Sequence, residues 1–254
     1  MTLQAQNLTV SIGGKVICRE LDFTIHPGES WAVLGQNGSG KTTLLRTLAG
    51  LHAPDSGVVK FGTLPLTDYA RRDLARQIGV LQQHEDGEFW GSVFEYVLLG
   101  RFPYRTALFG YSAADEAIAL QSLAQMELQG LAARPLNTLS GGEHQRASIA
   151  QLLTQKPKFC LLDEPLQHLD LRHQMGVMQT FGRLRAQGGA VLMVLHDLIW
   201  MQGYFDHLLL MFPDGSVQCG LADDLLTRDN LEALYQCALL ELTVDGKRCL
   251  IPSV

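Results

Sequence analysis

Apolar and polar residues alternate over residues 8–10 and 21–25, the period of two that buries one face of a strand. Both segments are predicted to be half-buried antiparallel strands. Residues 30–34, 159–162 and 190–195 are instead short, mostly apolar runs, which suit strands covered on both faces of a parallel sheet. Residues 58–61 carry a weaker strand pattern. In the middle of the chain the period changes. Ser112 and Asp115 form a pair suited to a capping box, and apolar residues then recur at helical spacing as far as Met126. Residues 140–155 form a second helical stretch. Strands and helices alternating in this way predict an α/β fold. The whole chain, 1–254, reads as one domain: a core over about residues 1–84 and 156–254, with a helical subdomain over about residues 85–155 inserted into it.

The loop after the run at 30–34 carries the first candidate chemistry. Gly35-Gln36-Asn37-Gly38-Ser39-Gly40-Lys41-Thr42 fits G-x-x-x-x-G-K-[ST], with a strand before it and the helix-forming Thr43-Leu44-Leu45-Arg46 after it. The glycines let the backbone turn its N–H groups toward phosphate oxygens, and the helix N-terminus adds a favourable dipole. Lys41 is positioned to reach β- and γ-phosphates, and the Thr42 hydroxyl to bind Mg²⁺.

A second set of residues fits the same chemistry. The run at 159–162 ends in Asp163, Glu164 and Pro165. Asp163 suits a Mg²⁺ ligand, direct or through water, and Glu164 suits the group that polarises a water attacking a γ-phosphate. His196 follows the run at 190–195, on the strand edge where open α/β sheets take ligands, and there it can sense a γ-phosphate. Leu139-Ser140-Gly141-Gly142-Glu143-His144-Gln145 places a hydroxyl and two glycines at a helix start, a second terminus suited to an anion.

Composition narrows the classes. Hydrophobic residues make up 46% and charged residues 18% of the 254, as in folded soluble proteins. The net charge of −6 argues against nucleic acid as the main partner. No apolar run reaches the ~18–20 residues that span a bilayer, and the N-terminus lacks a basic region followed by an apolar one. A cytoplasmic chain, joined to a membrane only through a partner, is expected. The five cysteines, Cys18, Cys160, Cys219, Cys237 and Cys249, are scattered with no metal-ligand spacing, and are expected to be reduced core residues.

Together these motifs resemble those of the ABC ATPases over nearly the whole chain. GQNGSGKT resembles the Walker A loop, LLDEP Walker B, LSGGEHQ the signature, His168-Leu169-Asp170 the D-loop and His196 the switch histidine. Gln83 resembles the Q-loop glutamine, with Gln82 beside it leaving the register open. The resemblance implies an α/β fold with a P-loop NTPase core, an antiparallel β subdomain and an inserted α-helical subdomain. It implies ATP and Mg²⁺ as cofactors. Gly35, Gln36, Asn37, Gly38, Ser39, Gly40, Lys41, Thr42 and Thr43 would hold the nucleotide of one subunit; Ser140, Gly141, Gly142 and Asp170 would meet that of a facing copy. Thr42, Gln83 and Asp163 would surround the metal, and Glu164, Gln83 and His196 would act in hydrolysis. Two copies would face each other head to tail and close on ATP. Family members commonly stack an aromatic residue on adenine where this chain has Ile12, which implies apolar packing and loose base selectivity.

Within that family the chain looks most like ATPases of importers for metal chelates: iron–siderophore, haem and cobalamin systems. Leu99-Gly100-Arg101-Phe102-Pro103-Tyr104 and the segment from Glu164 to Gln174 carry that likeness, although Leu166 stands where those importers usually have a small residue. The implied partners are a second copy of the chain, transmembrane permease subunits and, indirectly, a substrate-binding protein; nucleic acid is not among them. The implied location is the cytoplasmic face of the inner (plasma) membrane, held peripherally by the permease. Aromatic residues between 100 and 111 fit either core packing or the groove that accepts a permease helix. Rival readings are a molybdate or other-substrate importer, an exporter, and a non-transport ABC ATPase, which usually carries paired cassettes or coiled-coil insertions. A P-loop kinase or GTPase should lack LSGGEHQ, and no N-K-x-D motif of a GTPase is present.

Overall fold

The computed structural model describes residues 1–83, 89–105, 110–201, 203–244 and 247–253. In chain order the elements are β1 (Leu3–Ile12), β2 (Lys15–Ile25), β3 (Ser30–Gly35), α1 (Lys41–Leu48), β4 (Ser56–Phe61), β5 (Leu64–Pro65), α2 (Arg71–Leu74), β6 (Ile78–Leu81), α3 (Val93–Leu98), α4 (Ala113–Gln125) and α5 (Gly141–Gln155). They continue with β7 (Phe159–Asp163), α6 (Leu171–Ala186), β8 (Ala190–Val194), β9 (His207–Met211), β10 (Val217–Leu221), α7 (Ala222–Leu225), α8 (Arg228–Tyr235), β11 (Leu239–Val244) and β12 (Lys247–Pro252). This is the expected α/β architecture. It divides into two compact units, residues 1–69 with 190–254, and residues 70–189.

The first unit contains an antiparallel sheet in the order β2-β1-β4-β5. Its strands form because apolar positions recur at every second residue, with a register shift on β1 between Ala5 and Leu8: Leu3 and Ala5, then Leu8 and Val10, are buried, as are Leu21, Phe23 and Ile25 on β2. The run at 30–34 forms β3, buried along its whole length, and lies parallel to β8 on one side and β9 on the other. Since Val33 is in register with Val194, the ends of both strands reach one edge. The loop after β3 and His196 after β8 are thereby brought to that edge.

In the second unit β6 and β7 pair in parallel, with Leu81 beside Leu162. Helices α3 and α5 share a core of Val93, Tyr96, Val97, Ala147, Ile149 and Ala150, inside which the Tyr96 and Ser148 hydroxyls are 3.0 Å apart. The capping box expected at Ser112 and Asp115 is present and starts α4. Asp115 also binds buried Arg101, with Nε to Oδ1 at 2.7 Å, and the Arg101 guanidinium lies 3.7 Å from the Tyr104 ring centre. In the segment 100–111, then, Tyr104 and Arg101 are packing residues while Phe102 is 63% exposed; residues 106–109 fall outside the described residues, as do 84–88 near the expected subdomain boundary.

Cys18 and Cys160 are buried as expected. Cys219 is only half-buried and Cys237 is exposed, so the core expectation fails for these two, which sit on a sheet-edge strand and just beyond a helix end. Among the described residues no helix is long and apolar enough to cross a membrane.

Candidate functional site

The first unit holds the loop from β3 into α1. The turn from β3 into α1 is possible because Gly38 and Gly40 adopt positive φ, 76° and 98°. At Gly40 a side chain is doubly excluded: a Cβ there would lie 2.6 Å from Ile17 Cβ. Gly40 is also the N-cap of α1, with no side-chain cap and no acid in the first turn. The N–H groups at this helix start are therefore not claimed by a capping side chain, which is the condition for binding an anion. Lys41 is 6% exposed, and its Nζ donates to the carbonyls of Gly35 and Gln36, both at 2.9 Å. The ammonium is curled over the loop. The Ser39 hydroxyl is buried with no hydrogen-bond partner among the described residues, an orphan that a phosphate oxygen would satisfy. Thr43 is buried behind the loop and Thr42 half-buried. Ile12, at the end of β1, is 53% exposed.

The second unit supplies carboxylates and a second helix terminus. Asp163 ends β7 and is 1% exposed. Glu164 follows in the left-handed region at φ 49°, an uncommon conformation for a residue with a Cβ and one that its surroundings must hold. Gln83, just past β6, donates from Nε2 to Glu164 Oε2 at 2.9 Å. Of the two glutamines that the sequence left open, Gln83 is thus the one that reaches the carboxylate. The Glu164 backbone is held as well: Gln145 Nε2 donates to the carbonyls of Glu164 and Pro165 at 3.3 and 3.1 Å.

Ser140 caps α5. Its Oγ accepts from Glu143 N at 3.3 Å, and its own N–H donates to Glu143 Oε2 at 2.8 Å. That backbone donor holds the Glu143 carboxyl below its ordinary value. The Ser140 hydroxyl is a further hydrogen-bond partner of that carboxyl. Gly142 is required by close approach, since a Cβ there would lie 2.8 Å from the His168 carbonyl oxygen. Asp170 caps α6 by accepting from His173 N at 2.9 Å, and His173 Nδ1 lies 2.8 Å from the same oxygen. The His173 backbone N–H is the main reason the Asp170 carboxyl sits below its ordinary value.

Two glutamines that sequence reasoning did not single out organise this half. Gln145 appeared only as the last residue of LSGGEHQ. Gln174, whose Nε2 donates to the carbonyls of Leu166 and Leu169 at 3.3 and 3.1 Å, appeared only as the end of a family-like segment. Helical spacing was the available signal: Gln145 lies four residues after Gly141 and shares its face.

Comparison with known proteins places these features in a family. The family described as ABC transporter matches residues 18–167. The hemin import ATP-binding protein HmuV of Ruegeria sp. (strain TM1040) is 36% identical over 247 residues, 94% of this chain and 92% of that protein. The ferric enterobactin transport ATP-binding protein FepC of Escherichia coli (strain K12) is 32% identical over 253 residues, 98% and 93% of the two chains. Among solved structures, an inward-facing ABC transporter described as of the metal-chelate type aligns with a TM-score of 0.85 at 28% identity, covering 100% of this chain and 98% of that one.

Proposed function

This chain belongs to the ABC transporter family, and we propose, from that premise, that it hydrolyses MgATP between two copies of itself to drive uptake of a metal chelate of the haem or ferric-siderophore class. It is a transport ATPase that binds adenine nucleotide. Cassettes of this family work as dimers with transmembrane permease subunits. The finer steps below are our reading of this chain's residues.

The loop 35–43 fits a triphosphate: its helix start is uncapped by any side chain, and the buried Ser39 hydroxyl awaits an acceptor. When nucleotide enters, Lys41 exchanges its two loop carbonyls for the β- and γ-phosphate oxygens, a stronger charge-assisted contact. Ile12 offers the adenine an apolar surface with no hydrogen-bond readout. Thr42, Asp163 and Gln83 would each offer a hard oxygen of the kind Mg²⁺ prefers, and the metal would supply charge neutralisation at the phosphates. Glu164 then accepts a proton from a water whose oxygen attacks the γ-phosphorus, the bond to the ADP oxygen breaks, and His196 donates to the γ-phosphate. Ser140, Gly141 and Gly142 donate to the γ-phosphate held by the facing copy, with Asp170 beside them. Those contacts exist only in the closed dimer, so ATP, and not ADP, shifts the population to it.

The observation that carries this reading is the position of Glu164: a carboxylate at the end of an apolar parallel strand, oriented by Gln83 at 2.9 Å. Phe102 and Trp90, 63% and 79% exposed, supply apolar anchors for a permease helix, and a substrate-binding protein would deliver the chelate to that permease. The attachment to the cytoplasmic membrane face follows from the permease. The test is gene deletion with uptake of labelled haem and ferric siderophore, using molybdate and an amino acid as controls. Lost chelate uptake, restored by wild type and not by Glu164→Gln, is expected. Intact chelate uptake with lost molybdate uptake would refute the substrate class and leave the ATPase reading standing.

A further inference from the structure

The segment from Glu164 to Asp170 is held on two sides. From α5, Gln145 Nε2 reaches the carbonyls of Glu164 and Pro165, and Gly142 packs so closely that no side chain would fit between it and the His168 carbonyl. From α6, Gln174 Nε2 reaches the carbonyls of Leu166 and Leu169. Glu164 and His168 both sit at positive φ, 49° and 62°. A conformation of that kind persists only where its surroundings impose it.

The two clamps differ in what lies beyond them. Gln174 belongs to a helix capped by Asp170, as α5 is by Ser140 and Glu143, and it holds the carbonyls of Leu166 and Leu169, not that of Glu164. Gln145 belongs to the helix whose first residues are the signature glycines Gly141 and Gly142, one turn away on the same face. A shift of that helix start is therefore passed directly to the backbone of Glu164. On the head-to-tail reading proposed above, on which this inference rests, the signature of one subunit serves the facing copy's ATP, while Glu164 of the same subunit serves its own. We infer that Gln145 is a positioning residue that couples the two ATP sites: engagement of the signature by the facing copy's γ-phosphate draws α5, and through Gln145 sets the backbone, and hence the carboxylate, of Glu164.

Three variants of the full chain test this, each assayed for ATPase turnover, for its Hill coefficient in ATP, and for ATP-dependent dimerisation on a Glu164→Gln background. Gln145→Ala should lower kcat by roughly fivefold, the effect of losing one modest hydrogen-bonded restraint. Its Hill coefficient should fall from the wild-type value toward 1, while dimerisation on the Glu164→Gln background keeps its ATP midpoint. Gln174→Ala should lower kcat and leave the Hill coefficient at the wild-type value. Gln145→Lys, which keeps a donor for the two carbonyls, should restore both quantities, and it carries the test if the alanine variant does not fold. Equal Hill coefficients in Gln145→Ala and Gln174→Ala, unchanged turnover in Gln145→Ala, or a lysine variant with lost cooperativity would each overturn the coupling role. If Glu164→Gln itself forms no dimer with ATP, the interfacial reading fails and takes the coupling with it.

Discussion

Gln83 and Glu164, 81 positions apart in the chain, share a hydrogen bond of 2.9 Å from the glutamine amide to the carboxylate. It arises because β6 and β7 are parallel neighbours in register, Leu81 beside Leu162, so the residues just past the two strand ends emerge together. An amide in that place orients the Glu164 carboxylate without adding charge to it. Gln83→Ala should therefore lower ATP turnover by roughly tenfold, the cost of losing one hydrogen bond to a charged group, with the affinity for metal-free ATP nearly unchanged. Steady-state kinetics beside equilibrium titration would separate the two; a loss of affinity equal to the loss of turnover would assign Gln83 to binding instead.

Lys41 lies curled over its own loop, its Nζ on the Gly35 and Gln36 carbonyls. Those neutral acceptors are weaker than phosphate. Lys41→Ala should weaken ATP binding by roughly a hundredfold in calorimetry. Wild-type affinity would remove the loop from the nucleotide site.

Gly40 has no alternative at its position, with φ 98° and Ile17 Cβ 2.6 Å from where a Cβ would be. Gly40→Ala should cost about 2 kcal/mol or more in urea unfolding and displace the N–H groups that we propose face the phosphates, so nucleotide binding should fall with it. A stable variant with intact binding would contradict the assigned loop geometry.

Arg101 and Asp115 make a largely buried ion pair in the helical part of the second unit. Burial pushes the Asp115 carboxyl up, but the Ser112 backbone N–H and the Arg101 guanidinium outweigh it, so the carboxyl sits below its ordinary value. A lowered carboxylate stabilises the fold fully above its unfolded value, about pH 4, and the contribution is lost as pH falls through the lower folded value. Arg101→Met should cost about 3 kcal/mol at pH 7, because it strands a buried charge. The penalty should shrink at about pH 3. Equal penalties at both pH values would show that packing over Tyr104, and not charge, is what Arg101 provides.

Much of this architecture could be read along the chain, where the cause is local. The apolar run at 30–34 became β3 with one residue added, and the Ser112–Asp115 pair caps α4. The turn from β3 into α1 was legible because its glycines stand at fixed spacing between an apolar run and helix-forming residues. Longer-range causes stayed hidden. Nothing in the order Gln82-Gln83 says which amide will face Glu164; the register of β6 on β7 decides it. The left-handed backbone of Glu164 and His168 is invisible in residue type, since neither is glycine. Gln145 looked like the tail of a motif because its partners are backbone carbonyls about 20 residues away, and carbonyls leave no mark in a sequence. Of the two roles expected for the aromatics between 100 and 111, packing holds for Tyr104, because a buried guanidinium at Arg101 needs both a carboxylate and an aromatic face.

The central claim, that ATP itself joins two copies through Walker A of one and Ser140 of the other, is tested most directly by measuring the molar mass of Glu164→Gln in solution by light scattering. With MgATP the mass should rise to twice the 28.0 kDa of one chain, with MgADP it should remain at one chain, and Ser140→Arg added to Glu164→Gln should abolish the ATP effect while leaving ATP binding intact. A mass that stays at one chain with MgATP bound, or a dimer that forms equally with MgADP or with Ser140→Arg, would contradict the account.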